Sequence, residues 1–116
     1  MTTQEIPKQP NEYCYNEWAK KQLAASNKRF FRLAAKQLPE FQFKGHFSAG
    51  GIAVWGEVYA KISQGGVPKV EAYNTEMGML VRQWDGRNSG RNHYVQNMEQ
   101  FVKLVKQLAA APFVRF

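Results

Sequence analysis

Cysteine is nearly absent from this chain: Cys14 stands alone among 116 residues. One cysteine makes no internal disulfide, so a reducing compartment is the simpler setting and a cytoplasmic location is expected. Glu12 and Glu17 flank it, and acidic neighbours disfavour the thiolate that a reactive cysteine needs. With two histidines, His46 and His93, it makes no recognisable zinc-ligand spacing. No apolar run approaches the roughly 18 residues of a membrane span. The stretch from Met1 to Pro10 is polar, lacks the apolar core of a signal peptide and reads as a flexible lead. Residues 11–116 then read as one domain, with no internal repeat and no linker long enough to divide them.

Catalytic signatures are missing as well. There is no Walker motif, no G-x-G-x-x-G, no G-x-S-x-G and no H-E-x-x-H. The reading is therefore of a protein that is not an enzyme, with no cofactor and no metal expected. Glu57 and Glu71 invite comparison with a carboxylate pair, but solvated cross-strand charges with Lys61 and Lys69 explain them more simply.

Acidic residues are also scarce. The formal net charge is +7, from 16 Lys and Arg against 9 Asp and Glu. Net charge alone reports solubility and attraction to polyanions. Its placement is more informative. Between Trp18 and Pro39 lie Lys20, Lys21, Lys28, Arg29, Arg32 and Lys36 with no carboxylate among them. A second basic zone runs from Arg82 through Arg87 to Arg91.

What is present is amphipathic order. A first helix is expected from Asn16, or from Asn11 as a protruding end, to Leu38, where Pro39 stops it. At 100° per residue, Ala19, Leu23, Ser26, Phe30, Leu33, Ala34 and Gln37 share one side. Lys21, Ala25, Lys28, Arg32 and Lys36 lie almost opposite, with Arg29 beside them.

The middle of the chain alternates with period two from Phe41 to Phe47, from Ile52 to Ser63 and from Lys69 to Thr75, a strand pattern. Val54, Val58, Ala60, Ile62, Val70 and Ala72 then point inward. Trp55, Glu57, Tyr59, Lys61, Lys69, Glu71 and Tyr73 point outward. Gln64 to Pro68 reads as a turn, and Glu76-Met77-Gly78 as a tight turn or bulge. Met79 to Trp84 and His93 to Val95 complete the strands. A last helix opens at Asn97, with Gln100 at the capping-box position, and buries Phe101, Leu104, Val105 and Leu108. Pro112 ends it, and the apolar tail Phe113 to Phe116 is expected to pack.

The order α-β-β-β-β-α, or one strand more, predicts a two-layer α+β domain. Its antiparallel sheet has four or five strands and carries the N-terminal and C-terminal helices on one face. The other face is left open. Trp55, Tyr59 and Tyr73, interleaved with Lys61 and Lys69, resemble the stacking platforms of single-stranded nucleic-acid binders. The loop from Asp85 to Asn92 doubles the triplet Gly-Arg-Asn, offering glycine amides and the side chains of Arg87 and Arg91 to an anion.

The leading expectation is a non-catalytic nucleic-acid-binding module. Its site would comprise Trp55, Tyr59, Lys61, Lys69, Tyr73, Arg82, Arg87 and Arg91, with Lys21, Lys28, Arg32 and Lys36 as electrostatic support. A protein-interaction module, an inhibitor or adaptor whose aromatic face meets another protein or its own copy, is the alternative, and a small-ligand binder or enzyme the third. Large aromatics on an open sheet face also predict a homodimer.

Overall fold

The computed structural model describes residues 17–47, 58–75 and 77–115, with the side chains of 17–24, 45–47 and 58 outside the description. Helix α1 (Glu17–Gln37) is followed by five strands and a closing helix, α2 (Met98–Ala110). The strands are β1 (Gln42–Phe47), β2 (Val58–Gln64), β3 (Val67–Thr75), β4 (Gly78–Gln83) and β5 (His93–Val95). They pair in sequence order, each antiparallel to the next, as one meander. Both helices pack on the same side of the sheet and on each other. The expected two-layer α+β architecture is the one observed.

Local chemistry explains the turns. Gly65 and Gly66 take φ of 60° and 79°, and two consecutive left-handed residues form the tight hairpin whose twist matches its flanking strands. Pro68 already lies in β3, where its missing N–H coincides with a register shift between Ile62 and Ser63. Asn97 caps α2, its Oδ1 accepting from the Gln100 amide at 2.9 Å. The Gln100 side chain reaches back to the Gln96 amide at 2.8 Å, one residue beyond the usual capping-box partner.

The core lies between the sheet and the helices. Ala60, Ile62, Val70, Ala72, Met79 and Val81 face inward from the sheet and are completely buried. Phe30, Phe31 and Phe101 form an aromatic cluster above them, with Phe30 and Phe101 meeting edge to face at 5.3 Å between centroids. On α2, Phe101 and Val105 are fully buried, whereas Leu104 and Leu108 pack at the margin. Val54, Val58 and Leu23, expected inside, lie outside the described residues or side chains.

The buried face of α1 is turned relative to expectation. Asn27, Phe30, Phe31, Ala34 and Leu38 point inward, Gln37 is exposed, and Ser26 and Leu33 lie between. An asparagine thus occupies a core position. Asn27 Oδ1 accepts from Asn74 Nδ2 of β3 at 3.2 Å, so one polar side chain on the helix meets one on the sheet. The hydrogen bond offsets only part of the cost of burying the amide, because Asn27 Nδ2 is buried with no hydrogen-bond partner among the described residues.

One inward residue of β4 holds the C-terminal segment. Gln83 Nε2 shares its two N–H donors among the carbonyls of Leu108, Ala111 and Pro112 at 3.1–3.2 Å, and its Oε1 accepts from the Val114 amide at 3.2 Å. The tail is therefore held through its backbone, while Phe113 and Val114 remain 39% and 67% exposed.

Candidate site on the sheet face opposite the helices

Antiparallel register sorts the outward side chains into rows. Residues directly opposite one another stand about 4.5–5.5 Å apart and interact. One row runs Tyr59, Tyr73, Leu80, Tyr94 across β2 to β5, with backbone position 46 of β1 next in register. The next runs Lys44, Lys61, Glu71, Arg82. Beyond it, Lys69 and Trp84 are joined where the Trp84 amide donates to the Lys69 carbonyl at 3.0 Å. Aromatic and cationic positions therefore alternate across the sheet.

Glu71 sits at the centre of this face and is 2% exposed. The expectation of a solvated charge facing Lys61 and Lys69 is corrected here. Its Oε1 accepts from Arg82 Nε at 2.5 Å and from Ser89 Oγ at 2.8 Å, and its Oε2 accepts from the Tyr59 hydroxyl. A carboxylate withdraws from water when an opposite charge and several donors replace it, and all are supplied by neighbouring elements. Glu71 is thus an internal ligand for an arginine. Glu57 and Trp55 lie outside the described residues.

Tyr59 is fixed by this arrangement. Burial of its phenol, followed by the hydrogen bond to Glu71, raises its pKa well above the ordinary tyrosine value. The folded state thus holds the phenolic proton more tightly than the unfolded chain does. The resulting stabilisation is complete below about pH 10 and declines as pH rises beyond it, because the unfolded chain ionises first. Urea melts between pH 8.5 and 11 are expected to show this decline, with a shallower slope for Tyr59→Phe. Equal slopes would place the alkaline instability elsewhere.

The rings form a connected group. Tyr59 and Tyr73 have centroids 5.9 Å apart at 40°. The Arg82 guanidinium carbon stands 5.7 Å from the Tyr73 centroid. Lys61 Nζ lies 4.6 Å from the Trp84 centroid and 5.7 Å from that of Tyr59, within cation–π range of both. Tyr59, Lys61, Lys69, Tyr73, Arg82 and Trp84 are all half-buried, and Lys44 is exposed.

The face brings together Tyr59, Lys61, Lys69, Tyr73 and Arg82 of the residues expected from sequence. Arg82 is occupied by Glu71 and reaches Asn92 Oδ1 only at 3.4 Å, so it organises the face from within. Sequence reading missed Trp84, Lys44, Ser89 and Tyr94. The signal for Trp84 was available, since it shares its parity with Leu80 and Arg82 on an alternating strand.

The loop after β4 differs from the anion cradle anticipated for it. Asp85 Oδ1 accepts from the Arg87 amide at 2.8 Å and the Asn88 amide at 2.6 Å, and the Gly90 amide donates to the Gln83 carbonyl at 2.8 Å. The loop therefore binds its own carboxylate. The backbone amides of Asn88 and Arg87 hold the Asp85 carboxyl below its usual pKa. Arg87 and Arg91 remain exposed, as side chains at the rim. Lys28, Arg32 and Lys36 are exposed on the helix side, away from the sheet face, and the Lys21 side chain lies outside the description.

Fold and face together define a two-layer α+β domain whose sheet surface, opposite the two described helices, alternates cations with aromatic rings. No described helix is long and apolar enough to cross a membrane. Comparison with protein-family models, curated proteins and solved structures found no match for the chain.

Proposed function

We propose that this chain is a non-catalytic binding module for single-stranded nucleic acid, which lies across the face of the sheet opposite the two described helices. The observation that carries the reading is the state of Glu71. Its charge is buried and met by Arg82, so the cations of the face are Lys44, Lys61 and Lys69, set among the rings of Tyr59, Tyr73 and Trp84. Lys44 and Lys61 stand directly opposite each other on β1 and β2. Lys61 Nζ lies over the Trp84 ring, so a phosphate can meet this cation beside a stacking surface. The rings supply sequence-tolerant stacking, worth about 1–3 kcal/mol per base. Arg87 and Arg91 extend the positive surface along the rim.

Fluorescence titration with single-stranded oligonucleotides at two salt concentrations tests this. Log affinity is expected to fall linearly with log salt, by about 0.7 per phosphate neutralised. Trp84→Ala weakens binding at every salt concentration and leaves the slope unchanged. The pair Arg87→Ala and Arg91→Ala flattens the slope. Affinity no tighter than about 10⁻⁴–10⁻⁶ M at physiological salt, and indifferent to Trp84→Ala, defeats the reading.

Self-association through the same face is the second reading, favoured by Tyr94, which is 38% exposed at the end of the aromatic row. Light scattering at micromolar concentration separates the two. A dimer whose formation protects Trp84 from a fluorescence quencher assigns the face to a protein interface.

A further inference from the structure

The opposite side of the domain is cationic too. Asn27, Phe30, Phe31, Ala34 and Leu38 turn α1 toward the core, so at 100° per residue Arg29, Arg32 and Lys36 fall on its outermost line. All three are exposed, and from Trp18 to Pro39 the chain carries no carboxylate. Lys103 and Lys106 are exposed on the neighbouring α2. Ordinary surface helices intersperse both signs of charge. Here, after Glu17 at its first position, α1 carries charges of one sign only.

The two positive surfaces are separated by the core. The shortest principal extent of the molecule is 21 Å, and the sheet and helix layers lie between the surfaces. At physiological ionic strength charges are screened beyond about 8 Å, so the helix stripe adds little to the affinity of a strand seated on the sheet. A strand of a few nucleotides on the sheet does not reach it either. The supporting role expected of the stripe from sequence is therefore not the one its position fits.

We propose that the α1 stripe is a second binding surface, for another phosphodiester backbone, so that one molecule bridges two nucleic-acid segments. The inference rests on the single-strand reading of the sheet face. The occupants of the two faces differ in kind. The sheet offers rings and cations together, and takes bases and phosphates. The stripe offers Arg29, Arg32 and Lys36 without an aromatic partner among them, which is a surface for phosphates irrespective of base identity. Arg29 and Lys36 are seven residues apart on the helix, about 10 Å along its axis, a span that reaches two neighbouring phosphates.

A capture assay tests the bridge. An oligothymidylate of about eight nucleotides, within the 4–16 spanned by a single binding fold, is immobilised, and the protein is added with a second labelled oligothymidylate. Neither strand pairs with the other, so the protein alone can join them. The wild-type chain is expected to retain the label. The variant Arg29→Ala, Arg32→Ala, Lys36→Ala is expected to lose at least tenfold of the retained label, while its affinity for one free oligonucleotide at physiological salt changes less than threefold. Thermal melts of the variant should match wild type, because all three side chains are exposed.

Undiminished capture by the variant overturns the bridge, since a pair of molecules joined through another surface would behave so. Capture and single-strand affinity falling in equal proportion also overturn it, because one strand would then follow both faces. Wild-type protein that binds one strand but captures no second defeats the bridge and leaves the sheet-face reading intact. Wild-type protein that binds no single strand defeats both.

Discussion

Glu71→Ala is expected to lower the stability of the domain by about 3–5 kcal/mol, the usual penalty for removing one partner of a buried ion pair. The carboxylate is 2% exposed and serves Arg82, Ser89 and Tyr59 together. Its loss removes the charge partner of the guanidinium and the carboxylate acceptor of the Ser89 and Tyr59 hydroxyls. Arg82 retains 26% exposure, so water can rescue part of its charge, which puts the expected loss toward the lower end. Urea denaturation is the measurement, and a change under about 0.5 kcal/mol would sink the account, being the scale of ordinary surface substitutions.

The same variant carries a functional prediction that runs against simple electrostatics. It removes a negative charge from a face proposed to bind a polyanion, yet affinity for single strands is expected to fall. Tyr59 loses the hydrogen bond that fixes its ring, and Arg82 loses the anchor that holds it beside Tyr73. Tyr59→Phe serves as the milder control, keeping the ring and removing the hydroxyl, and should cost about 1–2 kcal/mol of stability. Tighter binding by either variant would mean that Glu71 acts through its charge alone.

Gln83→Ala should cost about 2–4 kcal/mol, for a different reason. One side chain shares its two N–H donors among the carbonyls of Leu108, Ala111 and Pro112 and accepts from the Val114 amide, about three hydrogen bonds in all. Each contributes about 0.5–1.5 kcal/mol net, with an added penalty wherever a partner stays buried and unmet. Most of the bonds serve the segment after α2, so amide exchange at residues 111–115 should accelerate more than exchange in β3. Uniform acceleration would mean that Gln83 supports the whole domain and not this end of it.

Much of the fold was legible in alternation. Ala60, Ile62, Val70 and Ala72 follow a period of two, and a strand with one apolar side can be buried only one way. Gly65-Gly66 marked its hairpin for an equally local reason, since two consecutive residues with positive φ favour glycine. Asn97 and Gln100 marked the start of α2 through hydrogen bonds that span four residues or fewer. Element type, the inward residues of β2 and β3, the turn and the cap were therefore set by the sequence itself, because each depends on neighbours along the chain.

What only the tertiary structure decided are the pairings across long separations. Asn27 reads as a polar residue on a helix until Asn74, 47 positions later, meets it in the core. Glu71 reads as a solvated carboxylate until Arg82 and Ser89 arrive from β4 and the loop beyond it, and Tyr59 from β2. Gln83 reads as one more polar strand residue until the end of α2 comes to rest against it. Whether a polar side chain lies in water or in the core depends on its hydrogen-bond partners, because burial without one is costly. Composition and periodicity say which residues prefer to be buried, but they do not say which distant group will be waiting there.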